Sequence, residues 1–401
     1  MLEKQIVRYL ESLRPRDIPV TVSLWDGTRI PLGSEQRVQV QLKSLSAAKY
    51  LMNPSLASLG EAFVEGHIDV EGNVAEVIDV AEKLSREGGG GESALGKLPN
   101  WLARHTRRSD KKAIEYHYDV SNEFYARWLD PAMVYSCAYF RTGSEDLATA
   151  QRNKLDHICR KLRLKPGESL LDIGCGWGAL VIHAAERYGV HAVGITLSNN
   201  QFGLARERVA QAGLSDRIEI RLQDYRDVPG SETFDKISSV GMFEHVGLKN
   251  LGEYFQIVAR LLKPGGVALN HGITSSDTDN RSVGLGGGDF IDRYVFPDGE
   301  LPHVALAIRE LSAAGLELVD AESLRRHYAL TLRQWSAAFE RNLPELTQLA
   351  GERRARIWRV YLAGCAHAFA RGWVNIYQLL AIKSPDGQSP LPLTRDYMYD
   401  R

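Results

Sequence analysis

An acid followed by closely spaced glycines is the feature of this 401-residue chain that most suggests chemistry. Asp172 ends the apolar run SLLD, and Gly174, Gly176 and Gly178 follow it at alternate positions. Glycines let the backbone approach a ligand closely, and a following helix offers unpaired N–H groups. The acid suits a cationic aminoacyl group better than a pyrophosphate, for which a dinucleotide fold uses the wider GxGxxG spacing. The alternative is a tight strand-to-helix turn that binds nothing.

Polar residues also follow the next two apolar runs. HAVGIT ends in Thr196, with Gln201 shortly after it, where many adenosine-binding proteins place an acid for the ribose hydroxyls. Because a threonine stands there, ribose contacts would come from Thr196, Gln201 or the backbone. IEIRLQD leads into Asp224 and Tyr225, which offer an acceptor for an exocyclic amine and an aromatic wall. These residues predict an adenosine site beside the glycine turn.

The elements that must position these residues alternate between strand and helix from about residue 168. Short runs rich in Val, Ile and Leu are separated by helical stretches: SLLDIG, HAVGIT, IEIRLQD, KISSVG and VALNHGI. This alternation predicts an α/β fold with a doubly wound, mainly parallel sheet and helices on both faces. A long helix is predicted later, from Glu352 to Leu380.

A smaller α+β domain is predicted over residues 1–87. It begins with a helix from Glu3 to Leu13, and the alternating runs VTVSLW and RVQVQL are typical of strands. The segment from Leu56 to Lys83 is predicted as a helix. The region contains no cluster that resembles an active site. We expect it to help dock the protein to a membrane or to a second subunit.

A linker is predicted over residues 88–112, ahead of the main domain at 113–401. It begins with Gly88 to Gly91, whose ordering entropy predicts a flexible hinge. The sequence KLPNWLARHTRRSDKK then carries six cations against one acid, with Trp101 among them. Such a segment favours contact with an anionic membrane surface. The alternative is a solvated linker.

Composition limits the function classes. A net charge of -1 gives no sign of nucleic-acid binding. The cysteines show no CxxC pair and no metal-ligand spacing, which predicts free thiols in a reducing cytosol and no metal site. The charged N-terminus has no signal-peptide core, and no apolar run approaches the roughly 20 residues of a membrane span. We therefore expect a cytoplasmic protein that would meet any lipid at the inner face of the membrane.

Seven strings follow one another along the chain: HYDVSNEFYARWLD, YSCAYF, LDIGCGWG, GITLSNNQ, GMFEHVG, LNHGI and FIDRYVFPDGELP. Together they resemble the cyclopropane-fatty-acyl-phospholipid synthases, relatives of the mycolic acid cyclopropane synthases. The resemblance covers the chain from about residue 110 to the end, and the N-terminal domain is typical of the phospholipid enzymes. It implies a seven-stranded Rossmann-like methyltransferase domain, a homodimer, and transfer of a methyl carbon from S-adenosylmethionine to the cis double bond of a phospholipid acyl chain.

The resemblance also implies roles at individual positions. The residues that match cofactor contacts are Tyr135, Ser136, Gly174, Gly176, Thr196, Leu197, Gln201, Asp224 and Tyr225, in addition to Asp172. A bicarbonate ion is implied as the base for ring closure. The residues that would hold it are Cys137, Glu244, His271, Tyr328 and the backbone of Ile273.

The implied chemistry explains why such residues are needed. An alkene is a poor nucleophile, so it requires a sulfonium methyl donor, and methyl transfer leaves a carbocation that must be kept from water. Aromatic faces stabilise a cation, and the candidates in the sequence are Tyr135, Tyr139, Phe140, Tyr294 and Phe296. A base must then remove a proton from the new methyl group.

Each residue also has a simpler structural interpretation. Cys137 could be a small core residue, His271 a satisfied turn histidine, and Glu244 an acid favoured at a helix N-terminus. The aromatic residues could be ordinary core, and His245 is interpreted as structural. Three functional alternatives stay open: a lipid C-methyltransferase that makes a methyl or methylene branch, a lipid-binding protein without catalysis, and a small-molecule methyltransferase.

Overall fold

The computed structural model describes residues 2–87, 120–279, 287–295 and 299–399. The glycine hinge, the basic segment of the linker and Phe296 lie outside the described residues, so what was predicted of them stays a prediction. Within the described ranges, no helix combines the length and apolar character needed to cross a bilayer.

The main sheet has seven strands: Ser169–Ile173 (β5), His191–Thr196 (β6), Ile218–Leu222 (β7), Phe234–Val240 (β8), Leu262–Ser275 (β9), Glu317–Ser323 (β10) and Val374–Ile382 (β11). Their spatial order is β10-β11-β9-β8-β5-β6-β7. The strands from β7 to β9 run parallel, whereas β11 is antiparallel to both of its neighbours. The order reverses at β5, and the crevice beside its carboxyl end is where such sheets bind ligands.

Helices cover both faces of this sheet: Asn122–Ala126 (α5), Leu147–Lys161 (α6), Ala179–Tyr188 (α7), Asn199–Gln211 (α8), Leu251–Leu261 (α9), Gly287–Tyr294 (α10), Val304–Ala313 (α11), Arg325–Arg341 (α12), Leu343–Ala350 (α13) and Glu352–Arg371 (α14). One buried cluster joins α6, α7 and α8 to the sheet through residues such as Leu155 and Val181. A second joins α9 and α11 to the opposite face through Tyr254 and Ala307. The doubly wound α/β fold predicted from the sequence is confirmed.

The helix predicted from Glu352 to Leu380 is wrong in its last third. Helix α14 ends at Arg371, and Gly372 follows with φ of +74°, a conformation that glycine adopts at low cost. The following residues form β11, which is buried between β9 and β10. A continuous apolar run such as LLAI is compatible with a buried strand or a buried helix, so periodicity could not separate the two.

The N-terminal residues form their own four-stranded sheet, in the order β2-β1-β3-β4. Its strands are Val20–Ser23 (β1), Arg29–Pro31 (β2), Val38–Leu42 (β3) and Ile68–Glu71 (β4), and its helices are Leu2–Ser12 (α1), Ala48–Met52 (α2), Leu56–Val64 (α3) and Val74–Glu87 (α4). The single helix predicted from Leu56 to Lys83 is wrong. Gly66 turns the chain with φ of +74°, and β4 then pairs with β3 before α4 begins.

This N-terminal unit packs on the main one through α3 and α4. Phe290 of α10 lies so close to Gly60 of α3 that a Cβ on the glycine would sit 2.8 Å from the ring. Arg356 of α14 pairs with Asp69 at 2.9 Å. The helices that receive the N-terminal unit also supply Phe290 and other side chains to the large aromatic core beside the site described next.

Candidate active site

A cavity opens at the carboxyl ends of β5, β6 and β8, beside the point where the strand order reverses. Its lining includes most residues predicted to bind the cofactor: Tyr135, Ser136, Asp172, Gly174, Gly176, Thr196, Leu197, Gln201 and Tyr225. His245, which the sequence suggested to be structural, lines it too. Residues from several strand ends and from the segment before α6 therefore share one wall.

The glycine turn has a backbone that other residues would resist. Gly174, Gly176 and Gly178 have φ of +82°, +54° and +84°. The N–H of Gly174 donates to the carbonyl oxygen of Ile195 at 3.0 Å, which ties the turn to β6. A Cβ on Gly174 would lie 2.9 Å from the Cβ of Met242. Gly174 is therefore needed both for its conformation and for space.

Asp172 is buried at the base of this turn, with its carboxylate accepting a hydrogen bond from Ser238 Oγ at 2.7 Å. Burial raises the pKa of Asp172 to about 6, against the lowering effects of the Ser238 hydrogen bond and the nearby Lys154 charge. A cationic ligand group beside the carboxylate would favour its ionised form.

Lys154 is a cavity residue that reasoning from the sequence missed. It lies on α6, is 2% exposed, and donates from Nζ to Ser136 Oγ at 2.8 Å. Burial lowers its pKa to about 8, although the nearby Cys137, Asp130 and Asp172 groups oppose that shift. Gln151, Lys154 and Leu155 have the i, i+3 and i+4 spacing of one helix face, but no helix was predicted over residues 147–161.

The adenosine side of the cavity has a partly preformed hydrogen-bond pattern. The hydroxyl of Thr196 donates to Gln201 Oε1 at 2.8 Å, and both side chains are buried. Tyr225 and Arg226 also line the cavity. Asp224 is not among the described lining residues, and its carboxylate binds Arg226 at 2.6 Å. An influence of Asp224 on the ligand would therefore act through the position of Arg226.

Glu244 stands on a 3-10 turn next to cavity residues Met242 and His245. Its Oε1 accepts a hydrogen bond from the backbone N–H of Ile273 at 2.6 Å. Its Oε2 is buried and has no hydrogen-bond partner among the described residues. Burial raises the pKa of Glu244 to about 7, although the Ile273 hydrogen bond lowers it. Such an unmatched acceptor is costly unless a further group binds there.

His271 lies two residues before Ile273 on β9, and so on the same face of the strand. Its Nδ1 faces Gln378 Nε2 at 3.4 Å, and its buried Nε2 is likewise without a partner among the described residues. Burial lowers the pKa of His271 well below its usual range, so the ring is neutral. With Gln378 donating to Nδ1, the ring hydrogen resides on Nε2, and His271 offers a donor. Gln378, on β11, was not predicted.

Cys137 and Tyr328 approach the same carbonyl group. Cys137 Sγ lies 3.8 Å from the oxygen of Leu324, to which the Tyr328 N–H donates at 2.9 Å. The N–H of Leu324 donates to Ile376, which pairs with Ile273 across β11 and β9. Burial raises the pKa of the Cys137 thiol well above its usual range, so it remains an S–H donor. Mainly backbone contacts thus connect the segments that carry the residues predicted to hold the base.

A large aromatic cluster adjoins both the cofactor cavity and the residues predicted to hold the base. The ring of Tyr135 lies 5.2 Å from Trp335 and 5.5 Å from Trp128, between centroids. Tyr139 and Phe140 line a different cavity. The tryptophans were missed because they are widely separated in the sequence, at positions 128, 335 and 358. The described cluster includes Tyr125, Trp128, Tyr135, Tyr294, Trp335 and Trp358.

Known proteins resemble this chain over most of its length. A family described as mycolic acid cyclopropane synthetase matches residues 105–379, and a family described as a domain of unknown function matches residues 10–87. A probable fatty acid methyltransferase of Pseudomonas putida is 48% identical over 389 residues, which is 97% of this chain and 98% of that protein. The cyclopropane-fatty-acyl-phospholipid synthase of Escherichia coli (strain K12) is 43% identical over 264 residues, or 66% of each chain. A crystal structure of a mycolic acid cyclopropane synthase complexed with S-adenosylhomocysteine matches with a TM-score of 0.64 and 35% identity, over 68% of this chain and 97% of that one.

The seven-stranded sheet with its one antiparallel strand, and the cavity at its switch point, define an S-adenosylmethionine-dependent methyltransferase. Within that class, the chain belongs to the mycolic acid cyclopropane synthetase family.

Proposed function

We propose that this protein is a cyclopropane-fatty-acyl-phospholipid synthase. It transfers the methyl carbon of S-adenosylmethionine to the cis double bond of a phospholipid acyl chain, and loss of a proton then closes the ring. The observation that carries this proposal is the pair of buried polar atoms without described partners, Glu244 Oε2 and His271 Nε2, close to the cofactor cavity. A methyltransferase that left its product with a methyl branch would not need a base for the transferred carbon, whereas ring closure requires one.

The two ends of the cofactor fit the two halves of the cavity. Asp172 would bind the ammonium of the methionyl group, while Lys154, held by Ser136, would bind its carboxylate. Each charged group of the zwitterionic methionyl end would thus face a protein group of opposite charge. Thr196 and Gln201 would hold the ribose, and Tyr225 would contact the adenine.

The residues around Glu244 fit a small anion that also carries a hydrogen. His271 Nε2–H and the Cys137 thiol are donors, as is the hydroxyl of Tyr328, and Glu244 Oε2 is an acceptor. Bicarbonate has this combination of acceptor oxygens and one donor hydroxyl. When bound, it would supply a base of small size for the proton that ring closure releases.

The rest of the reaction depends on the chain's own residues. The aromatic cluster around Tyr135 would exclude water and stabilise the carbocation by roughly 0.5–2 kcal/mol for each well-placed ring. Gln378 would keep the His271 ring hydrogen on Nε2, and the Ile273 N–H would hold Glu244 in position. Their common task is to keep a proton acceptor beside the newly transferred carbon.

The surroundings of the enzyme are also proposed. The substrate would lie in an anionic membrane whose surface the enzyme contacts from the cytoplasmic side, and the enzyme would act as a homodimer. The charged segment at residues 97–112 would contribute to the membrane contact. The N-terminal unit packs on α10 and α14, and it would connect the membrane contact to the helices around the aromatic cluster.

A substitution in the glycine turn tests whether its conformation and close packing are needed for cofactor binding. We expect Gly174→Ala to weaken S-adenosylhomocysteine binding at least about tenfold, since it adds a Cβ 2.9 Å from Met242 as well as an unfavourable φ. Gly213→Ala is the control, because Gly213 has φ of +67° but nothing within 4 Å of its Cβ position. Calorimetric titration measures the binding, and equal affinity in both variants would contradict the role assigned to the glycine turn.

The affinity for the cofactor should fall at both low and high pH. Asp172 has a pKa of about 6 and Lys154 one of about 8. Below pH 6 the carboxyl takes up a proton and loses its attraction for the ammonium, while above pH 8 the lysine loses its charge. We expect the affinity for S-adenosylhomocysteine to fall by up to about tenfold per pH unit outside this window. In Asp172→Asn the affinity should no longer fall at low pH. The affinity for 5′-methylthioadenosine, which lacks both charged groups, should not depend on pH in either range. An equal loss of affinity for both ligands at low pH would argue against a role of Asp172 in binding the ammonium group.

The proposed reaction is tested with vesicles of unsaturated phosphatidylglycerol and S-adenosylmethionine. Acyl chains are analysed by mass spectrometry and proton NMR, and we expect a gain of one CH2 with cyclopropane ring protons. Removal of bicarbonate from the buffer should slow the reaction, and its return should restore the rate. A methyl- or methylene-branched product would instead support a fatty acid methyltransferase, the activity named for the Pseudomonas putida relative.

A further inference from the structure

A second cavity lies at the same edge of the main sheet. It begins at Ser323, where β10 ends, and includes Tyr139 and Phe140, which follow Cys137 by two and three residues. None of its described lining residues also lines the cofactor cavity. The carboxyl edge of such a sheet is where α/β proteins bind their ligands. A separate opening there, beside the proposed base site, is a place where a second ligand group could bind.

The second cavity is strongly basic. Its described lining contains arginines and histidines but no aspartate or glutamate: Arg141, His157, Arg160, Arg325, Arg326 and His327. We call it the arginine pocket.

Acids near the arginine pocket pair with two of its basic residues, since Asp156 binds Arg160 at 2.8 Å and Glu322 binds His157. Glu322 pairs with Lys161 at 2.6 Å and with His157 at 2.7 Å. Glu145 accepts backbone hydrogen bonds from Arg141 and Gly143, and these with the neighbouring N–H groups hold its pKa at about 2 despite some burial. The lining nevertheless keeps an excess of positive charge, because it contains four arginines and no aspartate or glutamate.

The floor of the arginine pocket is ordered by stacked rings. Tyr139 lies between His157 and His327, at centroid distances of 4.3 Å and 4.8 Å. The backbone N–H of Phe140 donates to His327 Nδ1 at 3.0 Å, so the ring hydrogen of neutral His327 is on Nε2. Burial lowers the pKa of His327, which keeps the ring neutral. A fixed neutral donor among guanidinium groups is a suitable arrangement for a tetrahedral oxyanion.

We propose that the arginine pocket binds the headgroup phosphate of the phospholipid while an acyl chain occupies the catalytic site. Planar guanidinium groups match phosphate oxygens in charge and geometry. Arg326 and His327 directly precede Tyr328 on α12, so the headgroup would be held next to the proposed base site. This inference rests on the proposed phospholipid substrate. It adds a device that selects phospholipids over uncharged lipids with the same chains.

The test compares two lipids in the same detergent micelles: unsaturated phosphatidylglycerol and the diacylglycerol with identical chains. We expect Arg141→Ser/Arg326→Ser, and to a smaller degree the exposed Arg326→Ser alone, to raise the KM for phosphatidylglycerol by roughly ten- to a hundredfold, as for lost hydrogen bonds to a charged group. Rates on diacylglycerol and the KM for S-adenosylmethionine should stay unchanged. Arg333→Ser is the control, an exposed arginine on α12 outside the pocket. An unchanged KM for phosphatidylglycerol, or an equal loss on both lipids, would overturn the inference.

A direct binding measurement separates this inference from the proposed reaction. Soluble dihexanoyl-phosphatidylglycerol and inorganic phosphate are titrated into the wild type and the double variant. We expect the short-chain lipid to bind the wild type and to lose affinity in the variant. If the wild type modifies neither long-chain lipid but binds the short-chain one in this way, the proposed reaction fails and the pocket stands. If inorganic phosphate binds as tightly as the lipid, the pocket serves a free anion and the headgroup role is wrong.

Discussion

Glu244→Gln is expected to lower the rate of ring formation by at least about a hundredfold, within the range for loss of a group that acts in proton transfer. Glutamine keeps an oxygen that can accept from the Ile273 N–H, so the local fold should survive. Its amide nitrogen, however, replaces Oε2, which turns an acceptor into a donor. The anion or proton that Oε2 would bind then faces the wrong partner.

The measurement for Glu244→Gln is the initial rate on phosphatidylglycerol vesicles, with the thermal midpoint and S-adenosylhomocysteine affinity determined alongside. Both of the latter should remain close to wild type, because Glu244 does not line the cofactor cavity. Glu253→Gln, an exposed acid on α9, serves as the control for loss of one negative charge. Ring formation at a near-normal rate in Glu244→Gln would show that the proposed role of this carboxylate is wrong.

Lys154→Met should weaken S-adenosylhomocysteine binding by at least about 30-fold, since truncating one partner of a buried charge pair costs on the order of 2 kcal/mol or more. Methionine nearly fills the space of the lysine stem but supplies no cation for the methionyl carboxylate. It also removes the donor to Ser136 Oγ. Some loss of thermal stability should accompany the change, because Asp130 and Asp172 lose a nearby positive charge.

A comparison of two ligands separates carboxylate binding from general damage at this site. Lys154→Met should weaken S-adenosylhomocysteine far more than 5′-methylthioadenosine, which has no carboxylate. The control is Lys165→Met, an exposed lysine beyond the end of α6. Equal weakening of both ligands would mean that Lys154 only supports the structure of the cavity, and no weakening would exclude it from cofactor binding.

The sequence predicted the sheet well because its strands are short, apolar and followed by distinctive turns. The glycine turn after β5 and the polar residues after β6 lie together in the cofactor cavity, as strand order alone requires. The prediction failed at β11, where an apolar run continues from a helix. The glycine that separates them, Gly372, carries the information, but a single glycine inside a helical pattern is ambiguous.

The sequence could not show which polar side chains are buried or which strands pair. Lys154 and Gln378 are polar residues with no motif around them, and their importance appears only when α6 packs beside Asp172 and β11 pairs with His271. For a similar reason, the sequence could not show that the aromatic candidates lie in two different cavities. Tyr135 lines the cofactor cavity, whereas Tyr139, four residues later, lines the arginine pocket.

The central claim, that the site removes a proton from the transferred methyl group, is tested most directly with S-adenosylmethionine carrying a fully deuterated methyl. The enzyme is incubated with vesicles of unsaturated phosphatidylglycerol, and the acyl product is examined by mass spectrometry and NMR. We predict a cyclopropane ring whose methylene carbon has lost one of its three deuterium atoms to a base. A product that keeps all three on a methyl branch would contradict the account, because no proton would then have been removed from that carbon.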